Sequence, residues 1–366
     1  MNRVLIFIVA YNAERHIEHV IQRIPERIFT AYDYEILIID DSSKDDTFEV
    51  ARRFQNNNSA LNLKVLHNPV NQGYGGNQKL GYQYAIINNF DAVVLLHGDG
   101  QYAPELIEEI FSPLLKGEAD AVFGSRMMVK GEALKGGMPV YKYAGNKILT
   151  FLENRMLRAQ LSEFHSGYRA YSTSALKQIP FQHNSSDFHF DTEIIIQLLL
   201  AGLRIRETPI PTYYGDEICN VNGVKYAWNV LVACFQSRLQ RLSILYQRKY
   251  DIEQGSSHYT IKLGYESSHT LAIGRVEPGS KVLDIGACEG LIANELKQKN
   301  CYVHGIDQLP LKSDANFDGY QQCDLNDPVL PDDIESYDHV LMLDIIEHLT
   351  RPEAFMDNLR EKLKLS

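Results

Sequence analysis

Residues 91–105, DAVVLLHGDGQYAPE, contain an apolar run that stops at a histidine and an aspartate two positions apart. An apolar run of this length, followed by two glycines, predicts a buried strand. Side chains alternate along an extended chain, so His97, Asp99 and Gln101 would share one side. Oxygen ligands from Asp99 and Gln101 suit Mg²⁺ or Mn²⁺, which keep several waters and complete their shell with substrate phosphates. A simple turn is the alternative, because Asp-Gly and Gly-Gln are favourable turn dipeptides.

The residues before and after this strand predict an α/β fold. Short β-branched runs alternate with segments of helical period from residue 3 to about residue 126, which indicates a parallel sheet with crossover helices. Ligands bind such sheets outside the carboxyl ends of the strands. A second alternation begins at SKVLDIGACEG, residues 280–290, and predicts a second α/β sheet.

A change to polar composition in DIEQGSSHYT, residues 251–260, places the domain boundary near Tyr250. The predicted domains are residues 1–250 and 251–366. A long helix is expected at about residues 222–250, where arginines lie beside aromatic side chains. It packs on its own domain or lies on a membrane surface as a basic amphipathic helix.

The composition excludes several classes of protein. The chain has 366 residues, 45% of them hydrophobic, and a net charge of −11, which argues against disorder and against a nucleic-acid partner. Five cysteines without a C-x-x-C pair predict neither a disulfide framework nor a structural zinc site, and favour a reducing cytoplasm. The longest apolar segment, residues 194–203, is about half of a membrane span.

Further polar motifs follow the other predicted strands of the first domain. They are IVAYNAE at 8–14, IIDDSSKDDT at 38–47, NQGYGGN at 71–77 and VFGSR at 122–126. Glycines before a helix allow close backbone approach to a ligand, and a helix N-terminus favours negative charge. Taken alone, each motif also fits an ordinary helix cap.

In this order and spacing, the motifs resemble the family 2 glycosyltransferases of the dolichol-phosphate-mannose-synthase-like group, over roughly residues 1–240. The resemblance implies a GT-A fold that binds a nucleoside-diphosphate sugar, linked to UDP or GDP, with UDP mildly favoured. It implies that Asp99 and Gln101 hold the metal and the diphosphate, with Arg126 near the phosphates. Gly73 is expected to bind the nucleotide sugar from the flexible glycine-containing loop at 71–77. The implied nucleoside-binding residues are Ala10, Tyr11, Asn12, Glu14, Asp40 and Asp41.

His97 stands where this group usually has the first aspartate of Asp-x-Asp. Imidazole is a poorer ligand for Mg²⁺ than for softer metals, so the change shifts the preference toward Mn²⁺ or leaves Asp99 as the sole carboxylate ligand. Alternatively, His97 only hydrogen-bonds inside the cleft. Without a metal, Arg126, Lys142 and Arg169 are the candidates for carrying the diphosphate charge.

The stretch LSEFHSGYRAYS, residues 161–172, resembles the segment where relatives carry an acid before S-G-(aromatic)-R. Glu163 takes that place and is a candidate general base for an acceptor hydroxyl in an inverting displacement. A lipid-phosphate acceptor is already anionic, and Glu163 would then only position it. Glu193 is a second candidate base or a helix-capping charge. The tyrosines of residues 211–223, PTYYGDEICNVNG, are expected to close over the acceptor.

The second domain carries the motif VLDIGACEG at 282–290, a strand that enters a glycine-containing turn and a helix. An acid at the next strand end, Asp307, suits ribose hydroxyls, and Asp324 suits an adenine edge. With YDHVLMLDIIEHL at 337–349, these motifs resemble class I S-adenosylmethionine-dependent methyltransferases over residues 260–366. The implied cofactor residues are Asp284, Gly286, Gly290, Asp307 and Asp324.

The resemblance to these methyltransferases is partial. The class has seven strands, and this sequence stops soon after the fourth, so we expect a truncated Rossmann-like domain. Methylation by this 366-residue form is doubtful. A cofactor-free Rossmann-like unit is the alternative.

The sequence predicts a bifunctional enzyme. Its first domain transfers a sugar to a glycan or lipid-linked acceptor with inversion, and its second, when whole, methylates a related product of cell-surface polysaccharide synthesis. One alternative is a polyprenyl-phosphate glycosyltransferase. Another is a catalytically weak scaffold that binds a nucleotide sugar. The expected location is the cytoplasm, with peripheral contact to the inner face of the membrane as an option, and the oligomeric state is not specified.

Overall fold

The computed structural model describes residues 2–213, 222–242, 244–252, 263, 266–311, 315–326 and 330–363. The chain divides into two compact units, residues 1–256 and 257–366. Most of the predicted linker and residues 214–221 of the tyrosine-containing segment lie outside the described residues. The domain boundary near Tyr250 and the closure of that segment over an acceptor therefore stay predictions.

A seven-stranded sheet forms the centre of the first unit, in the order β3-β2-β1-β4-β6-β5-β7. Only β6 runs antiparallel to its neighbours, β4 and β5. The strands are β1 (Arg3–Ala10), β2 (Asp33–Asp40), β3 (Leu63–His67), β4 (Ala92–His97), β5 (Ala121–Ser125), β6 (Arg169–Ser172) and β7 (Ile205–Pro209).

The strand register aligns the carboxyl ends of the three central strands. Ala10 of β1 pairs with Asp40 of β2, and Val9 pairs with His97 of β4. The side chains of β1 are buried on both faces of the sheet, as its nearly continuous apolar sequence requires. The polar residues that follow these strands therefore meet at one edge.

Helices cover both faces of this sheet and enclose two apolar cores. They are α1 (Ile17–Gln22), α2 (Glu26–Ala31), α3 (Thr47–Asn57), α4 (Tyr74–Ile87), α5 (Ile107–Leu115), α6 (Glu132–Lys135), α7 (Val140–Leu157), α8 (Thr173–Leu176), α9 (Phe190–Leu200) and α10 (Gly223–Arg241).

The helix α10 is shorter than the predicted helix at about residues 222–250. The side-chain Oε1 of Gln240 accepts a hydrogen bond from the backbone N–H of Gln247 at 2.7 Å. Tyr250 is buried against Ile196 of α9. The chain thus folds back after Arg241 to bury Tyr250.

The second unit contains a parallel sheet in the order β10-β9-β8-β11. Its elements are α11 (Ser268–Arg275), β8 (Lys281–Ile285), α12 (Leu291–Gln298), β9 (Tyr302–Asp307), β10 (Gly319–Gln322), β11 (His339–Leu341) and α13 (Pro352–Lys362). The expected α/β architecture is confirmed for both units. No helix among the described residues is long and apolar enough to cross a bilayer.

Candidate active site

A cleft of about 1150 Å³ opens at the carboxyl edge of the first sheet. Ala10, Tyr11 and Asn12 line it from the end of β1, and Asp41 lines it from the end of β2. The end of β4 adds the motif predicted to bind the diphosphate, His97, Asp99 and Gln101. The aligned strand ends thus bring polar groups from three segments to one cleft.

The two aspartates at the end of β2 have different roles. Asp40 is buried, and its carboxylate accepts hydrogen bonds from the hydroxyl and N–H of Ser43 and lies 2.8 Å from His67 Nδ1. Asp41 accepts hydrogen bonds from Asn68 Nδ2 and from the backbone N–H of Gln72, both at 2.8 Å. Asp41 lines the cleft, whereas Asp40 shapes the loop behind it.

Glu14 also holds the neighbouring loop. Its carboxylate accepts a hydrogen bond from the backbone N–H of Asp46 at 3.1 Å, and its own N–H donates to Asp45 at 3.3 Å. Asn12, at φ 53°, accepts a hydrogen bond from the N–H of Lys44 at 2.9 Å. Glu14 does not line the cleft, whereas Asn12 does.

Gly73 lines the cleft from the loop before α4, with φ at +78°. A Cβ at Gly73 would lie 2.6 Å from the carbonyl oxygen of Ser186, so only glycine fits. The next residue, Tyr74, stacks on Phe188 and donates its hydroxyl hydrogen to Asp191 at 2.9 Å. These contacts fix the loop at residues 71–77, here called the glycine loop, against the start of α9 and the segment before it.

His97 is packed by aromatic rings. Tyr74 and Tyr102 contact it edge-on, with ring centroids 5.6 and 5.0 Å away, and the hydroxyl of Tyr74 lies 3.4 Å from His97 Nε2. A Cβ at Gly167 would lie 2.6 Å from the same nitrogen. Burial lowers the pKa of His97, although Asp99 and Asp191 oppose the effect. These contacts favour the alternative in which His97 hydrogen-bonds inside the cleft.

The donor set at the end of β4 fits a hard cation. Asp99 lines the cleft and uses Oδ1 to accept the N–H of Gln101 at 3.1 Å. Among the residues that the structure describes, no group of three His, Cys, Asp or Glu side chains forms a metal cage. Mg²⁺ is commonly held by one or two carboxylates together with substrate phosphates, so a single carboxylate beside an amide is a consistent site.

Arg126, which is partly exposed, and the fully buried Glu163 form an ion pair outside the residues that line the cleft. The Glu163 carboxylate accepts two side-chain hydrogen bonds from Arg126, one from its backbone N–H at 2.7 Å, and one from Asn146 at 2.8 Å. Burial would raise the pKa of Glu163, but Arg126 and these hydrogen bonds hold it below its ordinary value. A general base needs a free lone pair and a suitable pKa, so the geometry weighs against that role.

Arg169 is fully buried and does not line the cleft. Its guanidinium donates to the backbone carbonyls of Ser166, Asp191 and Phe164 at 2.7 to 2.9 Å, and lies over the ring of Phe123. It therefore holds together the chain behind His97. Its predicted contact with the diphosphate requires this network to open.

The cofactor residues predicted for the second unit lie near the ends of its strands. Gly286 and Gly290 have φ of +81° and +78°, and Asp307 accepts the backbone N–H groups of Cys288 at 2.8 Å and Leu309 at 2.9 Å. Asp284 is buried, and its Oδ2 has no hydrogen-bond partner. Asp324 is exposed and accepts from Asn326. The turn and the unpartnered oxygen fit a ligand that donates hydrogen bonds.

Comparisons with known proteins agree with this geometry. Residues 5–180 match the model of glycosyl transferase family 2. The chain is 31% identical to the UDP-N-acetylglucosamine–dolichyl-phosphate N-acetylglucosaminyltransferase of Methanococcus voltae, over 58% of this chain and 86% of that protein. This chain belongs to glycosyl transferase family 2. The undecaprenyl-phosphate mannosyltransferase of Micrococcus luteus is 26% identical, over 57% of this chain and 82% of that relative.

Solved structures place this family 2 glycosyltransferase in the GT-A fold. Glucosyl-3-phosphoglycerate synthase from Mycobacterium tuberculosis, in complex with Mn²⁺, UDP and glucosyl-3-phosphoglycerate, aligns with a TM-score of 0.50 at 18% identity. The alignment covers 67% of this chain and 82% of that one. Residues 283–365 match the model of a methyltransferase domain. The predicted family and both predicted domain types are confirmed.

The sequence of this glycosyltransferase did not single out several cleft residues. Asp191 lines the cleft and binds Tyr74, whereas the predicted Glu193 is buried in an ion pair with Lys249 at 2.6 Å. The two acids are two positions apart on α9, and no sequence signal distinguishes them. The other cleft residues that were not predicted as ligand contacts are Val9, Asn71, Gln72, Tyr74, Asn77, Gly98, Tyr102, His165, Gly167, Ser186, Asp187, Phe188 and Tyr226.

Proposed function

We propose that the first unit transfers a sugar from a nucleoside-diphosphate sugar, UDP-linked in the first instance, to a lipid-linked phosphate with inversion at the anomeric carbon. The observation that carries this proposal is the cleft itself, where Asp41 and Asp99 lie at the ends of strands on either side of β1. Ligands of open α/β sheets bind at such strand ends. Tyr11, Asn12 and Asp41 would contact the nucleoside, and the glycine loop would lie near the phosphates.

Asp99 and Gln101 would hold Mn²⁺ or Mg²⁺ together with the phosphates of the donor. The cation would supply charge neutralisation for the departing diphosphate. The role of this chain is to present the carboxylate at the end of a rigid strand. Tyr74 and Tyr102 fix the neighbouring His97 ring in place.

A lipid phosphate is the acceptor that best matches the site. A hydroxyl acceptor requires a base, and Glu163 is occupied by Arg126 and Asn146. The carboxylate of Asp191, which lines the cleft, already accepts hydrogen bonds from Tyr74 and Gln78. A phosphate oxygen is already anionic and requires none. The names of two relatives specify dolichyl phosphate and undecaprenyl phosphate as acceptors. Such an acceptor places the enzyme at a membrane surface.

A transfer assay tests this function on the full chain. UDP-N-acetylglucosamine, UDP-glucose and GDP-mannose are each incubated with undecaprenyl phosphate, with and without Mn²⁺. We expect equal amounts of released nucleoside diphosphate and lipid-linked sugar, only with the cation. Release that depends on a glycan hydroxyl and not on the lipid phosphate would refute the acceptor. Donor binding without any release would favour the scaffold alternative.

We propose that the second unit binds S-adenosylmethionine through the turn from Asp284 to Gly290, with Asp307 at the ribose. The support is the match to a methyltransferase domain, the two glycines at positive φ and the unpartnered Asp284 oxygen. The cofactor would supply an activated methyl group. Titration calorimetry with S-adenosylmethionine checks the binding, with Asp307→Ala as the variant expected to lose it and Asp332→Ala as an exposed control. Equal affinities in both variants would exclude the site.

A further inference from the structure

The helix α10 has an apolar stripe that faces away from its own unit. Its buried face, formed by Val230, Ala233 and Cys234, packs toward α7 and α9. On the opposite side, positions three, four or seven apart form the second stripe, in which Trp228 is 68% and Phe235 54% exposed. This outward stripe consists of the exposed Val224, Trp228 and Phe235 and the partly exposed Leu231, and the exposed Leu242 continues it just after the helix.

The helix α7, which packs against α10, has an outward stripe of the same kind. Leu149 and Glu153 face inward, whereas Ile148 and Phe151 are 63% and 68% exposed. Val140 and Tyr141 extend the apolar surface toward the N-terminus of the helix. Two neighbouring helices therefore each bury one face and expose apolar side chains on another. We name the exposed residues of both helices the α7/α10 surface.

The exposed charges on these two helices are all basic. Five basic residues on them are exposed, Lys147, Arg155, Lys225, Arg238 and Arg241, of which Lys225 pairs with Asp187 at 3.7 Å. A sixth, Lys142, is partly buried and lies seven positions before Leu149, on the inward face of α7. Their one carboxylate, Glu153, is fully buried. This bias occurs in a chain whose net charge is −11, so the basic residues are locally concentrated.

The same helix also borders the cleft. Tyr226 lines the cleft near the N-terminus of α10, and its hydroxyl lies 2.9 Å from His165 Nδ1. Trp228 is two positions further along the helix and exposed. A partner that binds the outward stripe of α10 would therefore lie next to the cleft.

We propose that the α7/α10 surface docks on a lipid bilayer with anionic headgroups, with the apolar stripes in the interface and the basic residues on the phosphates. Amphipathic helices with Trp, Phe and Leu on one face and Lys or Arg beside it bind membranes in this way. A second copy of the chain fits less well, because an isologous contact would bring the basic residues against themselves. The idea that docking brings the cleft close to a lipid-linked acceptor rests on the proposed function. The docking of the α7/α10 surface on a bilayer does not.

Trp228 is the single tryptophan of the chain, so its fluorescence reports on the stripe directly. The full chain is mixed with vesicles of phosphatidylcholine, or of phosphatidylcholine with phosphatidylglycerol. We expect a blue-shifted emission and quenching by brominated acyl chains with the anionic vesicles, and weaker binding as salt rises. An emission spectrum that is unchanged by both vesicle types would overturn the proposal.

Vesicle sedimentation of matched variants tests the position of the surface. Ile148→Ser is compared with Ile87→Ser on α4, since the two isoleucines are 63% and 66% exposed. We expect the partition coefficient to fall by about fivefold for Ile148→Ser and not for Ile87→Ser, because only one would lose apolar burial in the interface. Equal binding by both variants, or a concentration-dependent dimer that Ile148→Ser dissolves, would overturn the proposal.

A charge variant provides a second measurement. Lys147→Gln combined with Arg238→Gln should lower binding to anionic vesicles about tenfold and reduce its salt dependence. Transfer to a short-chain, water-soluble phosphate acceptor, measured without vesicles, should stay unchanged in this variant. If the variant loses vesicle binding but still transfers the sugar, the docking proposal is supported and the proposed function is unaffected. If the wild-type chain binds vesicles but transfers no sugar, the proposed function fails and the docking proposal is unaffected.

Discussion

The strand ends of the two units differ in how their carboxylates are satisfied. In the first unit, Asp40, Asp41 and Asp99 each accept hydrogen bonds from the chain itself. In the second unit, Asp307 also accepts hydrogen bonds from the chain, but Asp284 on the neighbouring strand is buried with one oxygen unpartnered. The first site is therefore organised before a ligand arrives, whereas the second contains a charge that a proton or a ligand must stabilise.

Asp99→Asn gives the largest expected effect and tests whether the organised end of β4 carries the chemistry. We expect turnover to fall about 10²-fold to 10³-fold, because the substitution removes the carboxylate proposed to hold the cation. The melting temperature should change little, since Asp99 makes only a local bond to Gln101. The measurement is the initial rate of nucleoside diphosphate release at several Mn²⁺ concentrations.

Asp33→Asn is the matched control, because Asp33 begins β2 at the opposite edge of the sheet in an exposed ion pair with Arg3. Its rate should stay near that of the wild type. If Asp99→Asn keeps metal-dependent turnover, the carboxylate at the end of β4 does not hold the cation. The organised strand ends of the first unit would then not carry the chemistry.

Glu163→Gln distinguishes an organised structural carboxylate from a catalytic one. We expect the free energy of unfolding to fall by about 3 kcal/mol, because Arg126 would lose its buried partner. The pKa of Glu163 is lowered, so the stabilisation from the pair is complete above the ordinary glutamate pKa and is lost as pH falls through the lowered value. Denaturant unfolding between pH 3 and pH 7 measures it.

The exposed pair of Glu118 and Arg206 provides the control. Glu118→Gln should cost less than about 1 kcal/mol. A Glu163→Gln variant with normal stability, unchanged KM and a large loss of kcat would restore the role of general base.

The sequence predicts the strand ends well because their signal is local. A buried run that stops at Asp-Asp or His-Gly-Asp marks the end of a strand, and parallel strands share one edge. The partners of Glu163 and His97 come from distant segments, since Arg126 and Gly167 lie 37 and 70 residues away. No local pattern specifies whether an acid faces the cleft or a buried arginine, so the candidate bases needed the structure.

Asp284→Asn tests the buried, unpartnered carboxylate of the second unit. Burial, and next the charge of Asp307, raise the pKa of Asp284 to about 7. Because the pKa in the folded state is raised, the ionised carboxylate costs stability: the cost is absent below the ordinary aspartate pKa, grows up to about pH 7 and is constant above it. The asparagine variant should therefore be the more stable protein at pH 8. The difference in free energy of unfolding between the variant and the wild type should grow by up to about 1.4 kcal/mol per pH unit between the ordinary aspartate pKa and about pH 7.

Hydrogen exchange of the β8 and β9 amides, measured from pH 4 to pH 8, isolates this effect in the second unit. Asp332→Asn, at a fully exposed carboxylate, is the control and should show no gap. A stability difference for Asp284→Asn that is independent of pH would show that the buried carboxylate is satisfied as fully as those of the first unit.

His97→Asn has the smallest expected effect and tests whether the first site depends on the imidazole. The ring lies between Tyr74 and Tyr102, and its Nε2 faces the Tyr74 hydroxyl. We therefore expect less than about a tenfold loss of rate, because asparagine fills the space between the two tyrosine rings less well than imidazole. The ratio of Mn²⁺ to Mg²⁺ activity should be unchanged. Because burial lowers the pKa of His97, its ring is neutral at pH 7, and the wild-type rate should show no His97 inflection between pH 7 and pH 8.

His19→Asn, at an exposed position on α1, controls for loss of a histidine. A shift of metal preference toward Mg²⁺ in His97→Asn alone would make His97 a ligand, because replacing a nitrogen donor by an amide oxygen favours the harder cation.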